Sequence, residues 1–260
     1  MSNSKTLFIA IGVVAGLLIG FVLTSSIDRK ERDQLRTELN RLRAATQKTN
    51  AASSSETSNS DATATPPGNL SEDEIRNAIQ TADARPDDLY LQKNLGLALY
   101  AYANRTPSAA AYLPDVARFL KRACDANAKD REALVALGNV LFDIAQKSSE
   151  PAGFAEARGY YEKALALKPD DANTRTDLGL TYYLGQPSDP RRAITEYRRS
   201  LAVDPRHQSS LQNLAAALIK IGQRDEAQRR IDELQKIDAA NPALPNLRAQ
   251  LLQSRNAIKE

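Results

Sequence analysis

In 260 residues, 35 Lys and Arg against 32 Asp and Glu leave a formal charge of only +3, and no tight basic block occurs, so nucleic-acid binding has little support. Cys124 and His207 are the only residues of their kinds, which makes an intrachain disulfide, a Cys/His zinc site and a Cys-His or Ser-His catalytic pair hard to build. No phosphate-binding glycine loop occurs, and the chain is read as a non-enzyme without metal or cofactor.

Leu7 to Leu23 is an apolar run without a charge, flanked by Lys5 and by Asp28-Arg29-Lys30. That length spans a bilayer core and exceeds the usual signal-peptide h-region of about 7 to 15 residues. Thr24-Ser25-Ser26 is a poor cleavage site, so residues 1–26 are expected to be an uncleaved, single-pass anchor in the cell membrane. Gly12, Gly16 and Gly20 recur at every fourth residue. They share one helix face and would let a second span approach, giving a homodimer through the anchor; the competing reading is that glycine is common in membrane helices. Residues 27–46, with Leu35, Leu39 and Leu42 at coiled-coil spacing, are expected to form a short helical stalk. Residues 47–70 turn to Ala, Ser, Thr and Asn and end in Pro66-Pro67-Gly68, the composition of a disordered linker. Its root-mean-square reach would be about 25 Å.

Residues 71–260 carry helical periodicity throughout. Ser71 and Glu74 form a capping-box pattern that predicts a packing helix over Glu72 to Ala84. Four helical hairpins follow, over about 89–130, 131–171, 172–207 and 208–241. Their first helices read LGLALY from Leu95, LGNVLF from Leu137, LGLTYY from Leu178 and LAAALI from Leu214. Gly96, Gly138, Gly179 and Ala215 mark places where two helices cross closely, with Ala157, Ala193 and Ala227 on the return crossing. Pro242 to Lys259, with Leu244, Leu247, Leu251 and Leu252 at helical spacing, reads as a capping helix over the last apolar face.

This pattern resembles the tetratricopeptide repeat. The second unit meets it with Leu137-Gly138, Leu141, Ala157, Tyr161, Ala164 and Pro169, and the third with Leu178-Gly179, Tyr182, Ala193, Tyr197, Ser200 and Pro205. The early tryptophan is missing throughout, and Ala128 and Ala239 replace the closing proline. The resemblance implies an all-α solenoid of about four helical hairpins with capping helices, preceded here by one transmembrane helix and a tether. Gly96 to Gly138 is 42 residues, Gly138 to Gly179 is 41 and Gly179 to Ala215 is 36, against roughly 34 for the plain repeat. The excess falls in loops at 104–114, 147–153 and 186–190, where drift costs little stability; a partner-reading rim is the alternative.

The resemblance also implies that first helices line a concave groove, with second helices outside. Arg191, Arg192, Arg198, Arg199, Arg229 and Arg230 then belong to a solvated outer wall. The stripe opposite the Leu-Gly positions holds Tyr90, Lys93, Asn94, Leu97 and Tyr100, then Val135, Asn139, Phe142 and Asp143. It continues with Asn173, Thr176, Asp177, Leu180 and Tyr183, then Ser209, Gln212, Asn213, Ala216 and Lys220. Amides can both donate and accept, and aromatic bodies bury side chains, so this stripe suits an extended peptide. The chaperone-binding branch of the family needs Asn where Leu97 stands, and Asp177 adds an acid, so a chaperone tail is not the expected ligand. The expected function is a membrane-anchored scaffold that binds a protein or peptide and assembles a membrane-associated complex. The alternative is an accessory role in cytochrome c maturation, which a single span followed by such repeats resembles and which requires an extracytoplasmic groove. Arg29, Lys30, Arg32, Arg36, Arg41 and Arg43 on the near flank of the span favour a cytoplasmic repeat domain, whereas the cytochrome c maturation resemblance and the Ser/Thr-rich tether point to the outside, so both sides stay open.

Overall fold

A computed structural model of the chain describes residues 72–148 and 153–256. The expected anchor with Gly12, Gly16 and Gly20, the stalk, the linker and part of the loop at 147–153 lie outside the described residues. Among the described residues no helix is long and apolar enough to cross a membrane, and all regular structure is helical. The chain divides into two compact units, residues 1–110 and 111–260.

The first unit contains α1 (Glu72–Asp83) and α2 (Leu89–Ala103). Glu72, Asp73 and Glu74 place negative charge in the first turn of α1, where the helix dipole favours it. Ile75, Ala78 and Ala82 form its buried stripe. The Asp88 carboxylate caps α2 by accepting the Leu91 N–H at 3.0 Å. Gln92 is fully buried; its amide donates to the Ala82 carbonyl at 2.7 Å and the Arg85 carbonyl at 2.9 Å. One side chain thereby ties α2 to carbonyls at the C-terminal end of α1, where intrahelical partners run out. A 3-10 helix, Pro107–Tyr112, occupies part of the stretch expected to be loop.

The second unit stacks α3 (Leu113–Ala126), α4 (Arg131–Ser148), α5 (Gly153–Leu167), α6 (Ala172–Leu184), α7 (Pro190–Val203), α8 (Gln208–Lys220), α9 (Arg224–Ile237) and α10 (Leu244–Asn256), each packed on the next. Proline opens α3 and α7 within the first turn, where its missing N–H breaks no bond. Asp171, Asp189 and His207 cap α6, α7 and α8.

Glycine sets the closest approaches. A Cβ on Gly138 would lie 2.7 Å from the Tyr161 ring, and one on Gly179 only 2.4 Å from the Tyr197 ring. Each tyrosine on a second helix therefore crosses its first helix at the glycine, and both rings are essentially unexposed. Ala157, Ala193 and Ala227 are completely buried on the return side. Between pairs, Arg158 of α5 donates to Thr181 Oγ1 at 3.2 Å and to the Thr181 carbonyl at 3.0 Å. Its guanidinium also lies 4.1 Å from the Tyr182 ring centre, so a partly buried polar joint links α5 to α6. Leu244, Leu247 and Leu251 of α10 close the same core as Leu214, Leu218 and Leu234, whereas Leu252 points to solvent.

Candidate functional site

First helices α4, α6 and α8 lie side by side in the second unit, and several of their predicted stripe residues are partly exposed. On α4, Asn139, Phe142 and Asp143 are half-buried. The Tyr161 hydroxyl passes Gly138 and donates to Asn139 Oδ1 at 2.9 Å. Phe142 packs edge-on against Phe154, ring centres 5.1 Å apart and planes at 66°, which orders one aromatic wall. On α6, Asp177, Leu180 and Tyr183 are half-buried. The Lys220 ammonium sits 4.6 Å from the Tyr183 ring centre and donates to Ser188 Oγ at 3.0 Å. On α8, Gln212 and Asn213 are half-buried, and their amides make no hydrogen bond among the described residues.

The five predicted residues of the first repeat belong to the other unit. Tyr90 is three-quarters exposed, Lys93, Asn94 and Tyr100 are half-buried, and Asn94 donates its amide to the Tyr90 carbonyl at 2.7 Å.

Two members of the expected stripe are not on a surface. Leu97 is buried, and Thr176 is 2% exposed. Thr176 Oγ1 lies 2.7 Å from the Ala172 carbonyl, 3.0 Å from Ser200 Oγ and 2.6 Å from Ser210 Oγ. The cause is Ser200, which stands where the repeat pattern has Ala and turns this crossing into a hydroxyl cluster. His207 completes it. Its Nδ1 accepts the Ser210 N–H at 3.3 Å, which places the ring proton on Nε2, and Nε2 donates to Asn173 Oδ1 at 2.7 Å. The cap of α8 is thus bonded to the first turn of α6, a link that no local pattern around His207 signals.

The electrostatics single out one spot. Burial first, and the Asp143 carboxylate second, push the Asp177 carboxyl up to about 6, and Asp177 makes no hydrogen bond or ion pair among the described residues. The Tyr197 hydroxyl is buried without a hydrogen-bond partner among the described residues. Burial, then the neighbouring Tyr183 and Asp177, raise its pKa far above the ordinary phenol value. Cys124 behaves as a small core residue, with burial pushing its thiol up to about 11. Among the described residues no group of three His, Cys, Asp or Glu could hold a metal.

Second helices carry the arginines. Arg198 pairs with Glu226 at 2.8 Å, Arg230 with Glu233 at 2.8 Å and Arg199 with Glu196 at 2.8 Å. Glu196, only 7% exposed, also receives Arg175 of α6 at 2.9 Å. Of the six wall arginines, Arg198, Arg199 and Arg230 are held in ion pairs, Arg192 lies 4.8 Å from the Tyr182 ring centre, and Arg191 and Arg229 are exposed without an ion pair among the described residues.

Antiparallel helix pairs, crossed at glycine and joined edge to edge, define an all-helical repeat solenoid. Residues 186–251 match the family model described as tetratricopeptide repeat. No curated protein matches it in sequence. Among solved structures, the crystal structure of MamA is 22% identical with a TM-score of 0.51, covering 64% of this chain and 87% of that one. MamA from Desulfovibrio magneticus RS-1, residues 41 to the end, is 17% identical with a TM-score of 0.53, covering 66% and 87%. YrrB, described as a TPR protein with an unusual peptide-binding site, is 15% identical with a TM-score of 0.54, covering 68% and 83%. Likenesses at this identity show a shared fold.

Proposed function

We propose that the chain is a membrane-tethered scaffold whose first helices take up an extended peptide segment of a protein partner, so that a complex assembles beside the bilayer. The observation that carries this reading is the partly exposed stripe on α4, α6 and α8. Gln212 and Asn213 offer amide donors and acceptors that no described residue uses, and half-buried Phe142 and Tyr183 belong to the same stripe. An extended peptide presents alternating N–H and C=O groups that such amides can match, and aromatic bodies cover its side chains. The peptide-binding site of YrrB supports the reading in kind. The tether rests on the length and apolarity of Leu7 to Leu23.

The test is a selection of displayed random dodecapeptides on the full chain in detergent micelles. A family of related sequences is expected to be enriched, and the double variant Gln212→Ala, Asn213→Ala should bind the best of them about tenfold more weakly, a loss of about 1.4 kcal/mol. Enrichment of nothing, or binding indifferent to both changes, would overturn the proposal. Alkaline phosphatase and a fluorescent protein, fused separately after Glu260 in a bacterial host, read the side of the membrane. The charge flanking the span favours fluorescence. Phosphatase activity without fluorescence would instead direct the search to apocytochrome presentation outside the cytoplasm.

A further inference from the structure

The Tyr161 hydroxyl does more than fill the crossing at Gly138. It donates to Asn139 Oδ1 at 2.9 Å, and Asn139 is a half-buried member of the stripe on α4. The Asn139 amide nitrogen has no hydrogen-bond partner among the described residues, and it retains accessible surface. One end of the carboxamide is thus bonded from the core side, by a tyrosine only 1% exposed, while the other end stays open to a ligand.

The torsion that orients an asparagine carboxamide is broad and roughly two-fold, so an amide with no internal partner can present either its oxygen or its nitrogen. Gln212 and Asn213 on α8 keep that freedom among the described residues. Asn139 does not: a half-turn would sacrifice the bond from Tyr161, and a buried donor gives up its acceptor only at a cost. The corresponding position holds Leu180 after Gly179 in the third repeat and Ala216 after Ala215 in the fourth, so neither has a polar side-chain atom to present.

We infer that Tyr161 is a positioning residue: by holding Oδ1 it makes Asn139 a donor-only subsite for a neutral carbonyl oxygen of the bound peptide, an assignment that rests on the peptide-binding reading and deepens it. Half-buried Asp143 stands four residues on along α4, a spacing that puts two side chains on one side of a helix. A carboxylate ligand would meet like charge there, whereas a carbonyl would not. Gln212 and Asn213 adapt to either polarity of the peptide backbone, and Asn139 accepts one, so it sets the register in which the peptide lies.

The test uses the full chain in micelles at pH 7.5 and the best peptide from the dodecapeptide selection. Asn139→Ala should weaken its binding about fivefold and Tyr161→Phe about threefold, the scale of one neutral hydrogen bond and of its partial disordering. Asn139→Asp keeps an acceptor for the Tyr161 hydroxyl but turns an oxygen to the peptide, so it should bind more weakly than Asn139→Ala. In the Asn139→Ala background, Tyr161→Phe should change the affinity no further. Replacing the peptide carbonyls one at a time by thiocarbonyls, which are poorer acceptors, should reveal one position that weakens binding to the wild type and not to Asn139→Ala. A loss from Tyr161→Phe that is equal in both backgrounds would reduce the tyrosine to a structural role, and wild-type affinity in Asn139→Asp would overturn the donor assignment. Either result, with binding still sensitive to Gln212 and Asn213, leaves the peptide groove standing. Enrichment of no peptide would overturn both. Unchanged helical circular dichroism of each variant distinguishes a lost subsite from a lost fold.

Discussion

Gly179 offers the sharpest test of how the helices cross. Alanine at this position would put a Cβ 2.4 Å from Cε1, 2.8 Å from Cδ1 and 3.1 Å from Cζ of Tyr197. Ordinary carbon–carbon contact is about 3.5–4.0 Å, so the ring or the helix must retreat by about 1 Å. The ring cannot swing out, because it is 0% exposed and enclosed by the core of α6 to α9. Overpacking of this kind costs about 1–3 kcal/mol, and the depth of the overlap puts Gly179→Ala near the upper end. Replacing a helical glycine returns about 1 kcal/mol of propensity, which leaves a net loss of about 1–2 kcal/mol. Gly159, in the middle of α5, is the control: a Cβ there meets nothing within 4 Å. Gly159→Ala should therefore show the propensity gain alone, about 0.5–1 kcal/mol. Urea titrations followed by circular dichroism at 222 nm compare the midpoints. In thermal melts, each kcal/mol corresponds to about 2–4 °C for a domain of this size. In a Tyr197→Ala background the Gly179→Ala penalty should vanish, since the partner ring is gone. A Gly179→Ala protein as stable as the wild type, or a penalty that persists without Tyr197, would refute the crossing geometry.

The two crossing tyrosines should respond differently to loss of the hydroxyl. Tyr161→Phe removes a bond and strands Asn139, costing about 1 kcal/mol, whereas Tyr197→Phe removes a group with no partner and should be neutral or stabilising; equal losses in urea melts would contradict the assignment of partners. Asp177→Asn should raise stability at pH 7.5. With the folded carboxyl raised from 3.8 to about 6, the wild-type folded state binds the extra proton between those values. The stabilisation linked to that proton is complete below the unfolded value and is lost as pH rises through about 6, a swing of up to about 3 kcal/mol. The gap between variant and wild type should thus be widest above pH 7 and close by pH 4; a gap independent of pH would exclude the titration. Cys124, with its thiol pushed up to about 11 by burial, should react with Ellman's reagent at pH 8 only after denaturant is added, and rapid labelling of the native chain would show that α3 is not packed as described.

Much of the scaffold was legible in order along the chain, because the physics that specifies it is local or periodic. Glycine and alanine at repeat spacing mark where backbones must approach, and tyrosine in the following helix supplies the body that fills the gap; Gly138 with Tyr161 and Gly179 with Tyr197 show both halves of that rule. Helix punctuation works the same way. Asp88, Asp171 and Asp189 accept N–H groups three residues on, within reach of any reading of the sequence. Which polar atoms meet across repeats was not legible, since those partners are 20 to 34 residues apart and depend on the angle at which helices stack. Thr176 belongs by spacing to a binding stripe, yet its neighbours Ser200 and Ser210, 24 and 34 residues away, draw it into the core. Periodicity alone makes Tyr161 and Tyr197 equivalent. Tertiary packing decided that one hydroxyl meets the amide of Asn139 while the other, at the crossing followed by Leu180, is left buried without a partner among the described residues, because a crossing helix delivers the phenol towards whatever side chain follows the glycine.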